Sequence, residues 1–496
     1  MQQRFNLVDE PWLPVAGHGL VSLRSIFERS DLPALGGSVT EKIAITKLLQ
    51  AIAQAACTPK DDDEWQRLGE EGMARACLGY LERWHGAFWL YHPEKPFLQF
   101  PAVAKAEIKP YGALMPEIAT GNTSIVFQQQ VPPEPQQVSD DARARLVLVH
   151  MSCCFSGKKV DASVTLSPGT VKSKSAKPGP ALCSIGLLHS FLHGQSVRQS
   201  VWLNLLTLSD VQEEKTFTLG IGTPPWERMP AGENDALARA LQHSLMGRLV
   251  PMARFILLHE QGAHYVEGLQ HPDYLHGGMM DPSAAGDFSK AKPKMLWADP
   301  DKRPWRSLTA LLAFLNKSDV SAFICPQLKY CATRLHRADF AAFRLWSGGI
   351  RLSSNAGEQY LTGSDDVVES ELDLHTDWLN GEASQWFDQI QRSMSELEQL
   401  NKVLYASVAS YYKDAGADNA GDLAARAAQE FWQMAERHFP ALSRACYEAE
   451  NAPRQSVMHR MQQCARQSYE HACPQDTARQ LQIFVKHQPR LSKEAP

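Results

Sequence analysis

A chain of 496 residues, 44% apolar and 21% charged, has globular composition and is too long for one compact core, so at least two domains are expected. No apolar run approaches the ~20 residues of a membrane span, and Met1 to Leu7 lacks the apolar core of a secretory signal. Ten cysteines are too sparse for a disulfide scaffold, and a net charge of −5 averages over too long a chain to name a partner; a reduced, cytoplasmic protein is expected.

The opening reads as extended. Phe5, Leu7 and Val8 precede Pro11-Trp12-Leu13-Pro14-Val15, and proline disfavours the helical region for its predecessor. Ser38 or Thr40 can cap a helix starting at Glu41, with Ile43, Leu48, Leu49, Ile52 and Ala56 as its apolar face. A second helix is predicted from about Asp62 to Phe88 on the stripe Trp65, Leu68, Met73, Cys77, Leu81 and Trp84. Leu146–Phe155, the longest apolar run, is interrupted by His150. Phe255–Leu258 and His264–Val266 read as a pair of strands. Dense proline and glycine from Pro224 to Gly232 and from Pro272 to Pro300 predict loops, and a long helix is predicted from Pro304 to about Leu315.

After about Asp366 helical periodicity takes over. Ile390, Met394, Leu397, Leu404, Val408 and Tyr411 share one helix face, and Leu423, Ala427, Phe431 and Met434 another. Val457, Met461 and Cys464 start a third helix, and Leu481 to Val485 lies in a fourth, with breaks near Gly416, Pro440 and Pro474. The fold class is therefore read as α+β: a large mixed domain over residues 1–365, then a four-helix bundle over 366–496.

Charge is unevenly spread. Arg143, Arg145, Lys158, Lys159, Lys172, Lys174 and Lys177 fall between 143 and 177 with one acid, Asp161. Such a segment suits a phosphate backbone, because lysines release counterions as they neutralise it; on charge alone a solvated surface loop is the favoured reading. Arg454 to Lys493 is a second basic stretch, with seven Lys/Arg against Glu470 and Asp476, and a solvated helical face is its default reading. Upstream lies Phe127-Gln128-Gln129-Gln130-Val131-Pro132-Pro133-Glu134-Pro135. Glutamines can reach base edges and an aromatic can stack on bases; the same run also reads as a proline-rich surface loop.

Signs of an enzyme are weak. His259-Glu260 with His264 has i, i+5 spacing, which does not share a helix face as the i, i+4 histidines of a metalloprotease do. Cys153 and Cys154 near His150 could form a thiol nucleophile, but they follow the apolar run Leu146–Val149 and read as buried. No GxxxxGK[ST] phosphate loop occurs, and Asp61-Asp62-Asp63 reads as a helix N-terminal cluster. No catalytic residue, metal or cofactor is assigned.

Several segments in order resemble the CasA family, the large subunit of the type I-E CRISPR Cascade complex. They are Leu7-Val8-Asp9-Glu10-Pro11-Trp12-Leu13-Pro14-Val15, Lys60-Asp61-Asp62-Asp63-Glu64-Trp65 and His92-Pro93-Glu94-Lys95-Pro96-Phe97-Leu98-Gln99. Val201-Trp202-Leu203-Asn204-Leu205-Leu206-Thr207-Leu208, Pro224-Pro225-Trp226, Asp299-Pro300-Asp301 with Pro304-Trp305-Arg306, and Gly348-Gly349-Ile350-Arg351 continue the series. Each motif is weak and the ordered set is specific. The resemblance implies a subunit that reads a short motif, the PAM, in double-stranded target DNA and opens the adjacent pairs for a guide RNA. It further implies contacts with the other Cascade subunits and docking of a separate helicase–nuclease.

Three loops carry this in the family, and the resemblance maps them here. The first matches Phe127–Pro135, with Phe127, Gln128, Gln129 and Gln130; the second matches Lys172–Pro180, with Lys172, Lys174, Lys177 and Gly179. The third follows Arg351 over Leu352–Gly357, where Ser354, Asn355 and Ala356 lie nearest the expected tip and Gly357 closes it. Three departures bear on the preferred PAM. The second loop has only Gly169 and Gly179 in place of a glycine run, and the third has its nearest glutamine at Gln359. The family's lysine finger has no clear counterpart, with His271 and His276 as candidates between Gly268 and Pro282. Two rival functions remain: a nucleic-acid-binding assembly subunit without PAM reading, and a thiol or metal hydrolase.

Overall fold

The computed structural model describes residues 3–114, 138–153, 161, 163–168, 186–214, 216–271, 281–289, 294–315, 323–338, 341–351, 366–379, 383–448 and 451–491. The chain is α+β and divides into two compact units, Met1–Leu312 with Ala322–Leu374, and Ala313–Ser321 with His375–Pro496.

In the first unit β1 (Arg4–Asn6), β2 (Leu13–Val15) and β3 (Gly19–Val21) precede the short α1 (Leu23–Glu28), and β2 pairs with β3. The extended opening is thus as read, with Trp12 and Leu13 fully buried. α2 (Val39–Cys57) begins at a complete capping box: the Ser38 hydroxyl accepts from the Glu41 N–H, and the Glu41 carboxylate accepts from the Ser38 N–H at 2.8 Å. Ile43, Leu48, Leu49 and Ile52 are buried as predicted, and so is Lys47, a cation on the same helix. α3 (Asp62–Arg83) stops at Arg83 rather than Phe88. The chain must turn there because Phe88 is buried and β4 (Trp89–Tyr91) pairs back onto β1. Trp65 of α3 stacks on Trp202 at 4.4 Å.

β5 (Ile108–Pro110) and α4 (Tyr111–Leu114) are followed by α5 (Asp140–Ser152), β6 (His189–His193), α6 (Val197–Leu203), α7 (Leu208–Glu213), α8 (Ala236–Gln242) and α9 (Met246–Leu249). The predicted strand pair is present as β7 (Arg254–His259) and β8 (Gly262–Glu267), antiparallel, with β5 on the other side of β8. β9 (Gly286–Asp287) and β10 (Lys294–Met295) come next. The long helix expected from Pro304 is instead a 3-10 turn (Pro304–Ser307), the one-turn α10 (Leu308–Leu311) and a second 3-10 turn (Ala313–Leu315). Leu308, Leu311, Leu312, Ala313 and Leu315 are all buried, so the segment has no single apolar stripe of the kind that keeps a helix regular.

β11 (Phe323–Ile324), α11 (Pro326–Thr333), β12 (Ala342–Arg351) and β13 (Asp366–His375) complete the first unit. β11 joins the other edge of β9, and β12 lies between β13 and β6. Arg344 meets Glu371 and Trp346 meets Glu369, so partner numbers fall as β12 advances and the two strands are antiparallel. The segment after Asp366 had been expected to open the bundle. It is a strand, because Val368 and Leu374 alternate with Glu369, Glu371 and Asp373, a period of two.

The second unit is helical: α12 (Ala383–Ala415), α13 (Ala420–Glu436), α14 (Phe439–Ala445), α15 (Asn451–Ala472) and α16 (Ala478–His487). α12 packs against α13, α15 and α16, α13 against α15, and the short α14 against α15. Ile390, Met394, Leu397, Leu404, Val408 and Tyr411 are all buried, as are Ala427, Phe431, Val457, Met461 and Cys464. Pro440, read as a break, sits in the first turn of α14, where a missing N–H costs nothing. On α16, Ile483 and Phe484 are buried while Leu481 and Val485 are exposed. Among the described residues no helix is long and apolar enough to cross a membrane.

Candidate nucleic-acid interface

One end of the β13-β12-β6 sheet brings together described residues that flank two of the three mapped segments. β6 and β12 are antiparallel with Gly348 opposite His189, so the chain entering β6 and the chain leaving β12 lie side by side. The segment before β6 starts at Gly186, and the segment after β12 starts at Arg351. Gly186 has φ +85°, and a Cβ there would stand 2.9 Å from the Ile350 carbonyl and 3.4 Å from the Arg351 Cα. A Cβ on Gly349 would stand 2.5 Å from the Leu187 carbonyl and 2.9 Å from the Ala298 Cβ. The Gly-Gly-x-Arg motif thus has a packing reason: only a bare backbone lets these strands cross so closely. A third strip of chain closes the corner, with the Ala298 N–H donating to the Gly186 carbonyl at 2.6 Å and Trp297 bridged to Leu187. Arg351 is about half exposed, its guanidinium 3.4 Å from Asp299.

The first loop is rooted on α5. It leaves at Leu114, whose carbonyl accepts from His150 Nε2 at 2.6 Å, and the chain returns into Ser139 and Asp140 at the start of α5. Ten residues of helix separate these roots, about 15 Å at 1.5 Å per residue. Since Leu114 offers only an acceptor, His150 Nε2 carries the proton and Nδ1 accepts from the Tyr265 hydroxyl at 3.0 Å. Burial pushes the His150 pKa down to about 4. Both ring nitrogens are engaged, so His150 is a neutral strut and has no nitrogen left to activate a thiol. Cys153 is buried, as read, and Cys154 lies outside the described residues.

Two of the seven cations in the 143–177 stretch are not part of a loop. Arg143 on α5 donates to the Tyr91 hydroxyl at 3.0 Å and lies over the Tyr111 ring at 4.9 Å. Arg145 donates to Glu41 at 2.8 Å, to Asp141 at 3.0 Å and to the Trp12 carbonyl at 2.9 Å. The fold itself uses these charges. Asp161, the lone acid of the stretch, is spent as well, accepting from Ser163 and from the Glu107 N–H. The chain approaching the second loop is held by Glu233, which accepts from the Leu166 and Ser167 N–H groups.

Behind these roots lies a buried polar cluster. Lys47 Nζ donates to both Asp281 oxygens, at 2.6 and 2.7 Å, and to the Arg248 carbonyl at 3.2 Å. Burial alone would raise the Asp281 carboxyl, but Lys47 holds it down at about 2. His271 is no exposed finger. It is buried, its Nε2 donates to the Pro251 carbonyl at 2.7 Å, and burial, aided by nearby Arg248, drives its pKa down to about 3. His276 lies outside the described residues. His259 and His264 sit on the β7–β8 hairpin, where the His264 Nδ1 donates to the Ala106 carbonyl at 2.7 Å.

Of the thirteen residues assigned to DNA, Arg351 alone is described. Phe127, Gln128, Gln129, Gln130, Lys172, Lys174, Lys177, Gly179, Ser354, Asn355, Ala356 and Gly357 lie outside the described residues. The structure sets Gly186, six residues after the mapped second loop, against Ile350 and Arg351, which precede the mapped third, and the described residues that flank the first are Leu114 and Ser139. Sequence reading missed the strip Lys290–Arg306, which holds six Lys/Arg against Asp299 and Asp301 with Trp297 and Trp305 interleaved. Basic residues alternating with aromatics are the available signal.

Comparison with solved structures defines the class first: the fold is that of solved CRISPR-associated Cse1/CasA proteins. The Thermobifida fusca Cse1 crystal structure superposes with a TM-score of 0.76 at 20% identity, covering 98% of this chain and 97% of that one. A chain of a structure described as a CRISPR RNA-guided surveillance complex superposes at TM-score 0.63 and 16% identity, over 99% of this chain and all of that one. A Thermus thermophilus relative described as CRISPR-associated protein CasA/Cse1 is 27% identical over 334 residues, which span 62% of this chain and 60% of the relative. The family model for CRISPR-associated protein Cse1 matches residues 6–472, and the chain belongs to that family.

Proposed function

We propose that this chain is the large subunit of a type I-E CRISPR surveillance complex that reads a PAM in double-stranded DNA, opens the neighbouring pairs for the guide RNA and recruits a helicase–nuclease. It works as a cytoplasmic binding subunit, not an enzyme, alongside the other Cascade subunits. The observation that carries this reading is the corner of Gly186, Ala298 and Arg351, which brings the chain six residues after the mapped basic segment beside the chain that enters the mapped polar segment. A lysine-bearing segment that grips phosphates and an Asn-bearing segment that enters the groove must reach one duplex together, and the meeting of their flanking residues supports that. The match to a chain of a solved RNA-guided surveillance complex supports a place in such a complex. The hydrolase reading loses its base, because both His150 nitrogens are occupied.

Binding to duplexes that differ only in the flanking trinucleotide tests the proposal, with the full chain and matched salt. Discrimination among trinucleotides is expected; equal affinity favours the assembly subunit without PAM reading. Lys172→Ala and Lys174→Ala are expected to weaken binding to every sequence and flatten the salt dependence, and Asn355→Ala to impair opening, read by 2-aminopurine beside the flank. Identical behaviour of the two classes of variant overturns the division of roles.

A further inference from the structure

The small β10-β9-β11 sheet carries a face that the fold leaves open. Gly286, Met295 and Ile324 stand opposite one another in the ladder and so point to one side, and Phe288 and Trp297, two residues further along their own segments, point the same way. A Cβ on Gly286 would meet the Phe288 ring at 2.5 Å and Met295 Sδ at 2.6 Å, so those two side chains close over the glycine. Met295 is buried, whereas Phe288, Trp297 and Ile324 are 38%, 40% and 39% exposed. The register spreads them along the ladder: Ile324 faces Gly286, Phe288 lies two positions to one side of that rung and Trp297 two to the other, so the indole stands at one end of the face.

Two features say what covers it. Trp297 is bridged to Leu187, its neighbour Ala298 is bonded to Gly186, and Asp299 faces Arg351, so the indole stands at the corner from which the two DNA loops spring. Lys294, exposed three residues before the indole, and the half-exposed Arg351, which meets Asp299 two residues after it, put positive charge near it. An aromatic face set in positive charge matches a polyanion that carries flat rings, better than it matches an apolar protein surface.

We propose that Trp297 is a stacking platform for an unpaired nucleobase of the opened duplex. This rests on the DNA-opening function proposed above. A base inside a closed duplex has no free ring face to offer, so the platform binds the opened form preferentially and pulls the opening equilibrium toward it. It is indifferent to base identity, because every base presents a ring face, and so it leaves PAM reading to the loops.

The test uses the full-length chain with two probes: a duplex carrying a short bubble beside the flanking trinucleotide with 2-aminopurine in it, and the same duplex fully paired. The wild-type chain is expected to favour the bubble and to quench its fluorescence. Trp297→Ala is expected to lower bubble affinity about tenfold, abolish the quench and leave both the paired-duplex affinity and the salt slope alone. Trp297→Phe should keep most of the preference, and Lys294→Ala should show the opposite signature, a slope lowered by about one on both probes. An unchanged bubble-to-duplex ratio in a folded Trp297→Ala chain overturns the platform. So does a defect seen only in assembly with other protein subunits. If the alanine chain fails to fold, Trp297→Leu keeps the apolar volume; loss of quench supports the platform and a retained quench overturns it. A wild-type chain with no salt-dependent DNA binding sinks the proposed function itself, whereas normal trinucleotide discrimination with indifferent Trp297 variants sinks the platform alone.

Discussion

Arg145 and Lys47 can be set against Arg351 and Lys294, all cations of the first unit. The Arg145 guanidinium meets two carboxylates and a carbonyl, and Lys47 is fully buried against Asp281. Arg351 is half exposed with one long contact to Asp299, and Lys294 is exposed on a strand of a small open sheet. Cations whose donors are already used hold the protein together. Cations at a rim, beside chain roots, keep donors that a phosphate can take. Basic composition alone therefore misassigns function, since Arg143 and Arg145 head a basic stretch and yet are held by Tyr91, Glu41 and Asp141.

The comparison can be broken most directly at Lys47. Lys47→Ala leaves Asp281 buried and uncompensated, and a loss of about 3–5 kcal/mol is expected in urea unfolding; a shift under about 1 kcal/mol would show that the pair contributes little. Acid attacks the same core. His150 and His271 are neutral when folded, near 4 and 3, and titrate near 6.5 when unfolded, so the unfolded state binds the extra protons. Stability is full above about pH 6.5 and falls with pH below it, by about 2 kcal/mol per histidine at pH 5. Flat melting temperatures from pH 7 to 5 would contradict the buried neutral assignments.

Gly186→Ala probes the corner itself. Its positive φ and the Ile350 carbonyl at 2.9 Å predict about 1–3 kcal/mol of destabilisation, together with weakened trinucleotide discrimination as the two roots shift apart. The sharpest contrast pairs two arginines. Arg145→Ala should cost about 1–2 kcal/mol of stability and leave the DNA salt slope untouched, whereas Arg351→Ala should stay within about 0.5 kcal/mol and lower that slope by about one.

Much of the fold was readable where local rules and packing agree. The Ser38 cap, the stripes of α12 and α13, and the strand pair of Phe255–Val266 all appear as read, although α2 starts at Val39 and not at Glu41. Pro304–Leu315 misled because burial on every side erases the stripe that marks a helix. β13 misled because the change in glycine and proline content at Asp366 drew more weight than the Val368, Leu372, Leu374 alternation. For the site, Arg351 and the crowded glycines were legible as a motif, but not their meeting with Gly186, which comes from a distant part of the chain. The fate of Arg143 and Arg145 depended on partners at Tyr91 and Glu41, far away in sequence. Trp297 was hidden because exposure has no sequence signature of its own.

The bare backbone at Gly349, wedged against Leu187 and Ala298, has a consequence for how such a chain can diversify. Because the bases of two loops are locked by main-chain atoms, their anchorage does not depend on which side chains the tips carry. Insertions, lost glycines or a swapped wedge residue can then accumulate beyond the knot without any repacking beneath it. Under the proposed function, recognition of a new flanking motif becomes a matter of changing fingertips on a fixed hand.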